Sequence, residues 1–425
     1  MNRLFLSLIV FVFGVFTLTL SGCKKDDPTP DIRKEENEAL YAGMKDWYYW
    51  NEQIPQINPS SYADVFAVLE AIRQRPLDRW SYITNLQEFL DFFQNSSFVG
   101  YGFGSSWDSM GKLRISFVYS STQMYAQGVR RSWIIEAING TSVVPGINVS
   151  ALLGPNTEGV SNAFLFRKPD GNTTQLSFTK EKINMNTVLH HEIISAEDRK
   201  IGYMVLQGFT TPTATELTGV FNDFNEAGID ELILDMRYNG GGSTAIALKL
   251  SSMIAGPSLT GEPFAHYLYN SLKSAEHNRT DLFTNEANSL SLNRLVTITT
   301  GATASASEMV INGLRPFIDV HIVGSKTYGK PMGMNAFTLN NWALVPITFK
   351  IANANNEGDY FNGLPANVPA PDDLTRMFGD PQESMLQAAI AFILSGSTKG
   401  EVVPETQVRQ PWEDMQGLRR IIGAF

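Results

Sequence analysis

Residues 231–242, with the sequence ELILDMRYNGGG, decide the fold class because an apolar run leads directly into three glycines. A run of this kind is typical of a strand that is buried on both faces of a sheet. A helical pattern follows at 245–254, and apolar strands at 201–206, 295–299 and 321–324 alternate with further helical segments. This alternation predicts an α/β domain with a mainly parallel sheet of βαβ crossovers.

Two segments with other residue patterns precede this domain. Residues 35–97 carry apolar side chains at three- and four-residue steps, which predicts a small N-terminal helical domain. Residues 98–185 contain short alternating strands joined by Gly and Asn turns, which predicts a compact β module. The α/β domain then covers 186–396, and 397–425 is a C-terminal tail. The predicted fold is therefore multidomain, combining α+β and α/β architecture.

The composition excludes several functional classes. The chain has 425 residues, 43% of them hydrophobic, and a net charge of −10, so we expect globular domains and no nucleic-acid partner. One cysteine can form neither an internal disulfide nor a thiolate metal cluster. Neither a His-Glu-x-x-His pair nor a Walker loop occurs. We predict no metal and no organic cofactor.

The N-terminus has the pattern of an export signal. Arg3 precedes the apolar run 4–20, and Ser21-Gly22-Cys23 follows it. This ending resembles a bacterial lipoprotein signal, which predicts a signal peptide at 1–22, a lipidated Cys23 and a solvated tether at 23–34. The protein would then be an exported bacterial lipoprotein, membrane-anchored and facing the periplasm or cell exterior. An ordinary signal or a single anchor helix is the alternative.

Two features could carry chemistry. The backbone N–H groups of Gly240–Gly242 can converge on a negative charge, either a bound phosphate or a transient oxyanion. Ser305 lies among small residues after a strand, and Lys330 follows in a stretch with little competing charge. A neutral lysine can take the proton of a serine and activate it as a nucleophile. Alternatively, Ser305 and Ser307 only cap a helix that has Glu308 in its first turn.

The order of these motifs resembles a known enzyme family. Asp-x-Arg-x-Asn-x-Gly-Gly at 235–242, Ala-Ser-Ala-Ser-Glu at 304–308 and Thr-Tyr-Gly-Lys at 327–330 are similar to the C-terminal processing, or tail-specific, serine peptidases. The resemblance implies a serine endopeptidase that cleaves proteins or peptides through an acyl-enzyme. It implies the following roles: nucleophile Ser305, general base Lys330, and an oxyanion hole of backbone amides at Gly241, Gly242 and Ala306.

The β module resembles the PDZ module of that family. Gly102-Phe103-Gly104 lies where the carboxylate-binding loop is expected, which implies recognition of substrates through their free C-termini. The chain ends in the apolar residues 421–425. These residues could occupy the same groove as an internal ligand, or they could pack on the catalytic domain.

Two positions depart from the family pattern. Met334 stands where the family has a glutamine that orients the base, so Asn335 beside it is the candidate to orient Lys330. Gly240 replaces a proline after Asn239. Two other interpretations remain open. One is a catalytically impaired peptidase-fold lipoprotein that binds peptides or another ligand, and the other is a site for phosphorylated ligands at 240–242.

Overall fold

A computed structural model describes residues 31–396, 398 and 409–425. The predicted signal peptide, Cys23 and the tether up to residue 30 lie outside the described residues. The first helix begins at Ile32, so the last residues assigned to the tether are helical. Among the described helices, none is long and apolar enough to cross a membrane.

The helices of the described chain are α1 (Ile32–Trp47), α2 (Val65–Ile72), α3 (Leu86–Phe93), α4 (Gln123–Ala126), α5 (Val149–Leu153), α6 (Thr213–Ala227), α7 (Thr244–Ala255), α8 (Ser274–His277), α9 (Ala306–Leu314), α10 (Ser384–Ser395), α11 (Pro411–Asp414) and α12 (Gly417–Ile422). The strands are β1 (Tyr82–Asn85), β2 (Ser97–Gly100), β3 (Phe103–Trp107), β4 (Leu113–Val118), β5 (Ile134–Ile138), β6 (Thr141–Ser142), β7 (Ser161–Arg167), β8 (Thr173–Thr179), β9 (Glu181–Asn184), β10 (Val188–Ala196), β11 (Arg199–Leu206), β12 (Glu231–Asp235), β13 (Pro263–Tyr269), β14 (Arg279–Leu282), β15 (Arg294–Thr299), β16 (Asp319–Gly324), β17 (Met332–Met334), β18 (Phe337–Leu339), β19 (Trp342–Val345), β20 (Ile347–Ala352) and β21 (Val368–Pro369).

The central sheet has the strand order β10-β11-β12-β15-β16-β21. The pairings from β11 to β21 are parallel, and β10 is antiparallel to β11. Alternate strand residues face opposite sides, so one face packs on α6, α7 and α9 while the other packs on α10. Helices therefore cover both faces of a mixed α/β fold, and the loops after β12 and β15 emerge at the same edge.

The N-terminal helices share their core with a distant part of the chain. Leu40 and Leu69 pack in one cluster with Met332, Leu344 and Ile347. β1 also pairs with β19 in antiparallel register. The segment predicted as a helical domain therefore packs closely on the larger domain. α2 and α3 have only eight residues each and bury apolar residues.

The β module is an antiparallel sheet of strand order β3-β4-β5-β7-β8, with β6 paired to β5. Its core contains Phe103, Ile115, Phe164 and Phe166, and α4 and α5 contribute Met124 and other apolar residues. β3 lies at the edge of this sheet, so its outer N–H and C=O groups can pair with another segment.

Candidate active site

Ser305 lies at the turn between β15 and α9, immediately before the first residue of the helix. Its backbone has φ 58° and ψ −115°, a left-handed conformation that is strained for a residue with a side chain. Strained backbone of this kind persists where the surrounding structure holds it, and it clusters at functional sites. The N–H of Ser305 donates to Glu308 Oε2 at 2.9 Å, which fixes the turn.

Glu308 connects the serine turn to the loop that carries Lys330. Its buried carboxylate accepts hydrogen bonds from the Thr327 hydroxyl at 2.6 Å, the Gly329 N–H at 2.7 Å and the Lys330 N–H at 2.8 Å. Burial raises the pKa of Glu308, and these hydrogen bonds oppose that rise. From the sequence we interpreted Glu308 only as a residue of the first helical turn. The Ser-x-x-Glu spacing of a capping box was the available signal for the contact with Ser305.

Lys330 is a buried lysine, with 8% of its surface exposed. Burial lowers its pKa to about 8, the Asp78 and Glu308 carboxylates partly oppose this, and the Arg420 guanidinium adds to it. Its Nζ donates to the Met334 thioether sulfur at 3.1 Å, which is a weak acceptor. In the described part of the chain no hydrogen bond joins Lys330 to Ser305. The structure therefore places a desolvated amine near the serine turn, turned toward Met334.

Asn335 was predicted to orient the base, but none of the hydrogen bonds of the described residues joins it to Lys330. Its side chain donates to the Tyr269 hydroxyl at 3.3 Å, and its N–H donates to the Thr348 hydroxyl at 3.0 Å. β17 ends at Met334, and its pairing with β20 is irregular between Gly333 and Met334. Met334 contacts the Lys330 amine instead.

The glycine cluster after β12 lies against the serine turn. A Cβ added to Gly241 would lie 2.8 Å from Ser305 Cβ, and the φ of Gly241 is +106°. The Ala304 N–H donates to the Asn239 carbonyl at 3.0 Å, which holds the two loops together. Only glycine can occupy position 241, because it permits both this close approach and the positive φ.

The three predicted oxyanion donors differ in availability. The N–H of Gly241 donates to the Asn239 side chain at 2.9 Å, so this amide is occupied, contrary to our expectation. The Asn239 side-chain oxygen reaches the Gly241 N–H because an asparagine side chain commonly accepts a hydrogen bond from the backbone N–H two residues later. Among the hydrogen bonds of the described residues, none uses the N–H of Gly242 or Ala306. The Ala306 N–H is one of the unpaired donors at the start of α9.

Arg237 in the same motif is a structural anchor. Its fully buried guanidinium forms ion pairs with Asp235 at 2.7 Å, Glu383 at 2.9 Å and Asp372 at 2.9 Å. Glu383 precedes α10 and Asp372 lies in the preceding loop, so this network joins the end of β12 to the opposite layer. Arg237 therefore stabilises the segment that leads from β12 into the glycine cluster. Among the described residues, no hydrogen bond or ion pair joins its side chain to Ser305 or Lys330.

A cleft of about 480 Å³ opens beside these loops. Its walls include Gly240, Ala304 and Lys330, and they also include Arg420 and Ile421 from the C-terminal segment. The volume lies in the range of small-molecule and peptide-side-chain sites. The C-terminal segment therefore forms part of the surface that a substrate would meet.

The predicted carboxylate loop binds the last residue of the chain. The N–H groups of Gly102 and Phe103 donate to the main-chain oxygen of Phe425 at 2.6 and 3.4 Å, and the N–H of Tyr101, which the sequence analysis did not single out, donates at 2.9 Å. Gly104 makes no contact with Phe425. A Cβ at Gly104 would lie 2.3 Å from the Phe117 ring, so this glycine serves close packing inside the module.

The structure thus brings together a serine of positive φ before a helix, a buried lysine and a glycine cluster at the end of a buried strand, all in an α/β protein. The sequence profile described as Peptidase family S41 matches residues 200–368, and the one described as Peptidase S41 N-terminal domain matches residues 35–82. The chain belongs to peptidase family S41.

Relatives and a solved structure agree with this assignment. A carboxyl-terminal-processing protease of Picosynechococcus is 24% identical over 64% of this chain and 60% of its own length. The chloroplastic C-terminal processing peptidase of Tetradesmus obliquus is 25% identical over 52% of this chain, and 48% of its own length is covered. The chain thus spans about half to three fifths of these relatives. An S41 protein of known structure from Bacteroides fragilis shares the fold, with a TM-score of 0.69 and 24% identity over 88% of this chain and 100% of that chain.

Proposed function

We propose that this protein is a serine endopeptidase that cleaves proteins or peptides, with Ser305 as nucleophile and Lys330 as general base. The observation that carries the proposal is the contact of one buried carboxylate, Glu308, with the backbone N–H groups of both residues. Such a connection holds the serine turn and the lysine loop at a constant separation. The lowered pKa of Lys330 supports the role of base.

The proposed reaction follows from these groups. Lys330 Nζ turns from Met334 toward Ser305 and accepts the hydroxyl proton while Ser305 Oγ attacks the scissile carbonyl carbon. The free N–H groups of Gly242 and Ala306 stabilise the oxyanion. Protonated Lys330 gives its proton to the leaving amine. Lys330 then takes a proton from water as the water oxygen attacks the acyl carbon. The bond between this carbon and Ser305 Oγ breaks, Lys330 returns the proton to Oγ, and the new carboxyl group leaves and loses its proton to solvent.

Two further parts of the proposal concern recognition and location. We propose that the β module acts as a PDZ-like domain that assists recognition of substrate C-termini, and the N–H donors of Gly102 and Phe103 support this. We also propose export as a lipoprotein that is attached to a membrane through Cys23. This part rests on the N-terminal sequence alone.

The test compares cleavage of unfolded, fluorescein-labelled casein by the chain beginning at residue 24 with its Ser305→Ala and Lys330→Ala variants. We expect each variant to lose about 10³-fold or more in rate, since both groups act in the same chemical step. Ser109→Ala and Lys326→Ala alter exposed residues of the same types and are the matched controls, with rates expected to be unchanged. Undiminished cleavage by either active-site variant would refute the assignment.

A catalytically impaired peptide-binding protein is the second candidate. The contact of Lys330 with Met334, a weak acceptor in the place of a glutamine, favours it. This candidate predicts peptide binding without turnover by the unmodified chain. The casein assay at enzyme concentrations of several micromolar, together with a binding measurement, separates the two functions.

A further inference from the structure

The C-terminal segment is bound in the way that a strand-adding peptide ligand is bound. Phe425 N–H donates to the Phe103 carbonyl at 2.8 Å, while three N–H groups converge on its main-chain oxygen. Three N–H groups that converge on one oxygen favour negative charge on it, as a terminal carboxylate supplies. The edge of β3 and its preceding loop therefore form a site for a peptide with a terminal carboxylate.

The side chain of Phe425 fills an apolar site in the β module. Only 7% of its surface is exposed, and its ring centre lies 5.6 Å from that of Phe103 in the core of the module. The backbone also approaches closely, because a Cβ on Gly100 would lie 2.8 Å from the Phe425 carbonyl carbon. The site thus selects a large apolar last residue.

The residues before Phe425 lie beside the glycine cluster and the loop that carries Lys330. Gln207 Nε2 donates to the Ile422 carbonyl at 2.7 Å. The main chain of Ile421 lies against the glycine cluster, since a Cβ on Gly240 would be 2.9 Å from its carbonyl oxygen. The Arg420 guanidinium lies 4.1 Å from the ring centre of Tyr328, two residues before Lys330. The segment therefore forms one wall of the cleft that Gly240, Ala304 and Lys330 also line.

We propose that residues 417–425 are an intramolecular ligand that occupies the carboxylate site of the β module and narrows the active-site cleft by forming one of its walls. Peptides with a free carboxylate and a large apolar last residue compete with this segment for the site. In the described conformation the carboxylate site is occupied by the protein's own segment, and displacement of the segment widens the cleft. The competition with substrate rests on the proposed function, whereas the occupancy of the carboxylate site does not.

The test uses the Ser305→Ala chain, so that no turnover interferes, and a fluorescein-labelled peptide with the sequence of residues 417–425. Fluorescence anisotropy measures its binding to the full chain, to a chain without residues 421–425 and to a full-length Phe425→Asp variant. We expect binding to both altered chains to be about tenfold or more tighter, because the site is then unoccupied. The same peptide as a C-terminal amide should bind to neither.

Three controls keep the result interpretable. Asp414→Ser changes an exposed residue at the end of α11, just before the segment, and this variant should bind the peptide like the unaltered chain. Thermal melting shows whether the chain without residues 421–425 is folded. If this chain is unfolded, the full-length Phe425→Asp variant takes its place in the comparison. Amide hydrogen exchange should show Tyr101 and Gly102 protected in the full chain and less protected in Phe425→Asp.

Equal affinity of the full and altered chains would overturn the inference, and so would failure of the peptide to bind folded altered chains. Equal exchange at Tyr101 and Gly102 in the full chain and in Phe425→Asp would also overturn it. With Ser305 restored, the shortened chain should cleave casein several-fold faster. If binding and exchange agree with these expectations but neither chain cleaves casein, residues 417–425 do occupy the carboxylate site and the proposed peptidase function is refuted.

Discussion

Lys330 is the residue whose protonation state decides whether the proposed site can work. Burial disfavours its charged form and lowers its pKa to about 8, with Asp78 and Glu308 acting in the opposite direction and Arg420 in the same direction. About a tenth of the amine is then neutral at pH 7, and about half near pH 8. A lysine with an ordinary pKa would be almost fully protonated at both values.

We therefore predict that kcat/KM rises with pH through about 8 and levels off above that value. A lysine acting as base must be neutral, so raising the pH increases the active fraction. Initial rates of peptide cleavage between pH 6 and 10 measure this, with melting temperatures at each pH as the control for unfolding. A rate that is constant over this range contradicts the role of Lys330.

Met334 provides the hydrogen-bond partner of Lys330 Nζ, at the position next to Asn335. A thioether sulfur is a weak acceptor, whereas the carboxamide oxygen of glutamine is a strong one. We predict that Met334→Gln raises kcat about tenfold, which corresponds to the ~1.4 kcal/mol of one better hydrogen bond.

Met334→Leu is the matched control, because it preserves the volume and removes the sulfur. We expect its kcat to fall a few-fold, since Nζ then has no polar contact that orients it. Equal kcat values for the Gln, Leu and unaltered chains would show that this position does not orient the base.

At the scale of elements, the candidate site depends on two strand-to-loop transitions that touch. The glycine cluster after β12 and the serine turn after β15 are adjacent because their strands pair in parallel. We predict that Gly241→Ala abolishes cleavage and lowers the free energy of unfolding by about 2 kcal/mol. The added methyl group would meet Ser305 Cβ at 2.8 Å, and φ +106° is strained for alanine.

Gly219→Ala provides the control for this substitution. Gly219 lies exposed in α6 with no atom within 4 Å of an added Cβ, so alanine should stabilise the helix by roughly 1 kcal/mol. Urea unfolding and the casein assay measure both variants. Full activity of Gly241→Ala would mean that the glycine cluster does not need to contact the serine turn.

At the scale of the whole molecule, the ion pairs of Arg237 join the end of β12 in the central sheet to the loop before α10, the helix that covers one face of this sheet. Removing this cation leaves Asp235 and Glu383 buried without an ion pair, while Asp372 keeps its pair with Arg131. We predict that Arg237→Met lowers the free energy of unfolding by about 3–5 kcal/mol, or prevents folding. Urea denaturation followed by circular dichroism measures this loss.

Arg199→Met is the comparison for Arg237→Met. The Arg199 side chain is 46% exposed and its ion pairs are long, at 3.5 and 3.8 Å. Exposed pairs contribute little, so we expect a loss below ~1 kcal/mol. A similar loss for both variants would indicate that burial of the Arg237 network adds nothing to stability.

Much of the local structure followed from sequence periodicity. The strands near 201–206, 231–235 and 295–299 and the helix after Ser305 lie close to their predicted positions. The pairing of β1 with β19 did not follow, because these strands are about 260 residues apart and their sequences do not encode the partner. For the same reason, the predicted helical domain shares its core with residues 332–347.

By itself, the sequence determined the order of elements, the serine turn and the glycine cluster, because short-range hydrogen bonds and apolar periodicity act within a few residues. Only the tertiary structure decided that Glu308 joins Ser305 to Lys330, and that Met334 faces the amine. It also decided that Phe425 binds the loop at 101–103, one of two placements that the sequence had left open. Such contacts join residues that are distant in the chain, and they exist only once packed elements bring them together.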